Sequence, residues 1–217
     1  YARVWLVERI QPARSYIYID RESRPKNTSH HCDLGALRGQ NGAFAALASN
    51  DTFNEDSEFI RQSVVDLVMH EVGHTLGLNH TFIASTYLTP EQLQDEKLTT
   101  ERGVSSSVMD YTPANLAPPG RAQGRYFSNN VGIYDRWAIE YGYSEPLDNP
   151  EQEANRLAMI LSRSTLPGHA FSMDAETMND SALGIDPRVL RYDSSADPVA
   201  AGRGMVALAY ATEAKLM

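Results

Sequence analysis

With a single cysteine, Cys32, the chain can form no intrachain disulfide, and its redox compartment cannot be read from cysteine count. Long apolar runs are missing too: none approaches the roughly 20 residues a membrane-spanning helix needs. Positive charge is the scarcer sign, with 19 Lys and Arg against 28 Asp and Glu, a formal net charge of -9 and a pI near 5.1. That balance argues against a nucleic-acid binder, which requires a basic face. No internal repeat or low-complexity tract is present. What remains is an ordinary globular composition, 42% hydrophobic over 217 residues, enough for one domain, or a core with a helical extension, that buries a substantial interior.

The organising stretch is His70-Glu71-Val72-Gly73-His74-Thr75-Leu76-Gly77-Leu78-Asn79-His80, which reads H-E-x-x-H-x-x-G-x-x-H. His70 and His74 are one helical turn apart and project from one face, so they can grip a single ion. A catalytic zinc takes three protein ligands and keeps its fourth position for water. Gly77 supplies the route to the third ligand, because glycine takes the left-handed conformation that ends a helix and turns the chain back. His80 then swings under the metal. Glu71 is not needed as a ligand and is left to take a proton from the water, whose pKa zinc lowers toward about 7. Ordinary helix histidines satisfied in a core would not fall on three such positions together with a Glu and a Gly, and the pattern is a metalloprotease signature.

Further on comes Ser107-Val108-Met109-Asp110-Tyr111, and with it the chain resembles the metzincin clan of zinc peptidases. The resemblance implies that Met109 forms a hydrophobic floor under the three histidines. It places Tyr111 where astacin-like and serralysin-like members carry a tyrosine near the metal, either as a further zinc ligand or as a hydrogen-bond donor to the developing oxyanion. The wording HEVGHTLGLNH, SSVMDY and IYDRWAIEYGY is similar to a bacterial family of large zinc-dependent metalloproteases with a met-zincin catalytic domain. The similarity runs over roughly residues 30 to 200. It implies export to the periplasm or cell surface. A metzincin upper subdomain normally places several strands and a helix before the active-site helix, and Tyr1 is not an initiator Met, so a fragment of a longer polypeptide is expected, with the upper half of its cleft incomplete.

Ala2 to Ile10 and Ser15 to Asp20 read as two strands, rich in β-branched and aromatic residues. Gly42 to Ser49 is a short helix or strand, and His30-His31-Cys32 a plain loop. Ile60, Val64, Leu67, Val68 and Val72 recur at helical spacing and predict an active-site helix over about 57–76, capped by Asp56 or Ser57, with this apolar stripe in the core. Thr89-Pro90-Glu91-Gln92 opens a short helix to about Leu98 with capping-box spacing. Thr112 to Asn130 reads as an irregular wrap. A helix follows over Val131 to Tyr141, ended by Gly142, with Asp135 in a capping or surface role, or supporting a ligand histidine. Another runs from Asn149-Pro150 to about Ser164, His169 is a structural loop residue, and a last helix runs from Asp197-Pro198 to about Lys215.

These readings predict an α/β (α+β) fold, with a small mixed sheet and the active-site helix above a mostly helical lower part. Residues 1–145 form the catalytic domain, and residues 146–217 a helical extension without chemistry of its own. The expected function is zinc-dependent endopeptidase, with one Zn2+ held by His70, His74 and His80, Glu71 as general base, and a protein or peptide substrate. No nucleic-acid partner or membrane span is expected. The rival is a zinc-containing peptide-binding module without turnover. A purely structural zinc site fails on ligand count, since such sites close with four ligands.

Overall fold

The computed structural model describes residues 57–177 and 184–216. The two expected strands, the Gly42 to Ser49 stretch and His30-His31-Cys32 lie outside them. Among the described residues there are helices, 3-10 turns and irregular chain but no strand, so the expected small mixed sheet has no counterpart there.

The first element, α1, spans Glu58–Thr75. Ser57 caps it, its hydroxyl accepting from Ile60 N at 3.3 Å, and Glu58 sits in the first turn where a negative charge meets the helix dipole favourably. The buried side of α1 consists of Phe59, Gln62, Asp66, His70 and Gly73. Phe59 packs edge-on against Tyr126 and Phe127, and Gln62 accepts from the backbone N–H of both, at 2.8 and 3.2 Å. The apolar stripe expected in the core faces the other way. Ile60, Val64, Val68 and Val72 are 39–53% exposed, and only Leu67 is packed in, against the cluster of Phe82, Ile83, Tyr111 and Val189. At about 100° per residue the stripe and the buried set lie on opposite sides of the helix, and the side that meets the rest of the described chain is the one carrying His70.

The stretch after His80 forms a 3-10 turn at Ala84–Tyr87, then α2 (Pro90–Leu93) and α3 (Glu96–Arg102). The capping box on α2 is present as spaced: Gln92 N donates to Thr89 Oγ1, and Thr89 N to Gln92 Oε1. One helix to Leu98 was expected. The chain makes two instead, because Asp95 caps a new helix by accepting from Leu98 N at 3.0 Å. The wrap from Thr112 to Asn130 is irregular, as its prolines and glycines suggest. Asn115 pins it, donating to the carbonyls of Leu93 and Arg125. Next come α4 (Ile133–Tyr143), which runs past Gly142, and α5 (Pro150–Leu161), capped by Asn149. Trp137 Nε1 donates to Ile160 O at 2.7 Å and ties the two together. A last helix, α6, spans Pro198–Leu216, with Asp197 accepting from Ala200 N.

The largest apolar cluster joins Leu78, Val108, Met109, Tyr134, Trp137, Ala138, Tyr141, Ile160 and Phe171. It connects the end of α1, the Met109 turn, α4 and α5, so the floor of the histidine site and the main core are one body. Backbone hydrogen bonds lace four stretches beside it: Thr81 N to Met109 O, Phe82 N to Ser172 O, Leu190 N to Phe82 O, and Tyr192 N to Tyr111 O.

Candidate metal centre

The end of α1 sets the site. Leu78 N donates to Gly73 O and Gly77 N to His74 O, both at 3.0 Å, and Gly77 has φ +87°. This pair of bonds around a left-handed glycine is a Schellman C-cap. It reverses the chain within one turn of His74 and returns it as Asn79-His80. His70, His74 and His80 then converge, their ligand nitrogens all within 4.8 Å of one another.

Each imidazole is oriented through its Nδ1. His70 Nδ1 donates to Val108 O at 2.6 Å, and His74 Nδ1 to Leu78 O at 3.1 Å. His80 Nδ1 lies 3.1 and 3.2 Å from the two carboxylate oxygens of Asp174. A carbonyl or carboxylate oxygen only accepts, so each Nδ1 carries the proton and each Nε2 presents a lone pair. The Nε2 atoms of His74 and His80 are 3.1 Å apart. Two lone pairs facing at that distance repel unless a proton or a metal ion bridges them, and the spacing is near the edge, about 3.3 Å, of a tetrahedron with zinc–nitrogen bonds of 2.0–2.1 Å. The donor set therefore fits a divalent metal that favours imidazole, zinc foremost. Burial, and then the neighbouring His80, push the His74 imidazole below the usual histidine range, which favours the neutral form a metal requires.

Met109 is fully buried and its Sδ lies where a Cβ on Gly73 would have to be. At Gly73, the residue before His74, the helix thus rests on the methionine. Its turn is fixed by Asp135, which accepts from Ser107 Oγ, Val108 N and Gly132 N. Asp135 is 1% exposed, so it is no surface residue. It caps α4 and also supports the site at one remove, since Val108 is the residue whose carbonyl orients His70. Behind the turn, burial and then the charge of Asp193 hold the Asp110 carboxyl well above the usual carboxylate range.

Tyr111 is buried, with its ring 4.7 Å from that of His80 and 5.5 Å from that of His70. It packs edge-on to Phe82 and stacks on Tyr192. Tyr192 is held at φ +66°, an unusual backbone state for a tyrosine. Glu71, beside the histidine pair on α1, is exposed. His169 packs its ring 5.2 Å from that of Trp137, and its Nδ1 donates to Pro167 O.

Asp174 was not singled out by the sequence reading, and it lies in the stretch read there as having no chemistry of its own. No short-range signal could have found it, because its partner is 94 residues away and a lone Asp in irregular chain carries no period.

A helix with two histidines, a glycine turn to a third and a methionine floor define a metzincin-type metal site. The chain belongs to the Met-zincin family, whose sequence profile matches residues 52–216. No curated protein and no solved structure matches the chain. The family and the histidine cluster support a zinc metallopeptidase.

Proposed function

We propose that this chain hydrolyses peptide bonds as a zinc endopeptidase, with His70, His74 and His80 as ligands and Glu71 as general base. The observation that carries this reading is the convergence of the three histidines, with the Nε2 atoms of His74 and His80 face to face and each ring fixed by an oxygen acceptor at its Nδ1. Bound zinc would supply Lewis acidity and an acidified water at the position the three ligands leave open. Glu71, next in sequence to His70 and in contact with solvent, accepts the proton of the attacking water and passes it to the leaving nitrogen. Tyr111 stands against His70 and His80, where a phenol donates to the oxygen of the tetrahedral species. Met109 and Asp135 hold the floor.

The test is digestion of a diverse peptide mixture by the chain with zinc, read by mass spectrometry beside Glu71→Ala. Loss of the base should lower cleavage by about 10²–10⁴-fold while zinc remains bound. Equal cleavage by the variant would remove Glu71 from the mechanism. Silence in both, with zinc bound, would favour a binding module.

A further inference from the structure

We propose that Asp174 is a positioning residue of the metal centre, and that Arg191 holds it in place. The inference rests on the metal-site reading above and extends it to the segment after α5. His80 is oriented by a side chain among the described residues. His70 and His74 lean on the carbonyls of Val108 and Leu78, whereas the Nδ1 of His80 meets both oxygens of Asp174. Asp174 opens a short 3-10 turn, Asp174–Glu176. Arg191 also binds it, Nη2 to Oδ1 at 3.2 Å, and the same guanidinium lies 5.1 Å over the ring of Phe82. Phe82 in turn packs on His80 and Tyr111. Its backbone accepts from Leu190 N and donates to Ser172 O. Asp174 and Arg191 are thus carried by two stretches hydrogen-bonded to the residue two past the third ligand. A carboxylate in this place fixes the His80 tautomer and makes its Nε2 a stronger donor.

The experiment uses the whole chain and measures zinc affinity by competition with a chromophoric chelator, with the visible spectrum of the cobalt(II)-substituted protein as a geometric readout. Asp174→Ala should bind zinc about 10- to 100-fold more weakly, with a changed cobalt spectrum and a fall in kcat rather than a rise in KM. Asp174→Asn keeps an acceptor of the same shape and should fold normally, with a smaller loss. Arg191→Gln should move affinity in the same direction. If both Asp174 variants bind zinc as tightly as wild type with an unchanged cobalt spectrum, the inference fails and the metal site stands. If wild type binds no zinc, or His70→Ala binds it equally well, the metal-site reading fails and the positioning role goes with it.

Discussion

Gly73 carries no ligand atom, yet it sets how closely the active-site helix approaches its floor. A Cβ there would overlap Met109 Sδ, and Met109 is fully buried. Gly73→Ala should destabilise the fold by about 1–3 kcal/mol, the usual cost of overpacking a tight core. The cost should shrink in a Met109→Ala background, because the sulfur it meets is gone. A double-mutant cycle by chemical denaturation reads that coupling, and strictly additive losses would show that the methionine does not set the limit. At this scale the sequence was most informative where chemistry imposes a short-range spacing. The convergence of His70, His74 and His80 follows from one helical turn and one glycine turn, both local. Met109 could be placed only through family resemblance. Asp174 and Arg191 could not be placed, since three-dimensional proximity across the chain leaves no local pattern.

Among the elements, the end of α1 is the most consequential, for it brings a helical pair and a loop histidine to one point. Gly77 has φ +87°, a state that costs a residue with a Cβ roughly 1–2 kcal/mol. Gly77→Ala should therefore lower stability by about that amount and also weaken zinc binding, since His80 is delivered by this turn. Gly77→Asn should lose less of both, because asparagine tolerates the left-handed region. Thermal unfolding and a zinc titration would check it, and an alanine variant matching wild type in both would sink the argument. Helix existence was legible from periodicity and caps for α1, α2, α4, α5 and α6. Boundaries were less so: Asp95 starts a second helix that its side chain makes possible, and α4 passes through Gly142. Periodicity also could not assign the faces of α1. It revealed an apolar stripe and suggested that the stripe was core, whereas the side packed against the described chain holds Gln62, Asp66, His70 and Gly73. Gln62 meets backbone N–H groups, and His70 and Gly73 meet the Met109 turn, partners that no hydrophobic pattern advertises.

At the scale of the whole molecule, the histidine site is where separate stretches of chain meet. Its residues come from α1, the chain after Gly77 and the Met109 turn, with Asp174 and Arg191 reaching in from beyond α5. A metal bound there would link all of them and would be absent from the unfolded chain, so its binding free energy adds to folding stability. At free zinc about 1,000 times the dissociation constant the gain is about 4 kcal/mol. At about 2–4 °C per kcal/mol for a domain near this size, removing the ion should lower the midpoint of unfolding by roughly 8–16 °C. Scanning calorimetry with and without a strong chelator measures the shift. His80→Ala should unfold near the chelated wild type, and added zinc should move it little, since two histidines on one helix no longer connect that helix to the rest. A chelator shift of the same size in His80→Ala would mean that the stabilising ion sits elsewhere. No shift in either would mean that the three histidines meet without holding a metal tightly enough to stabilise the fold.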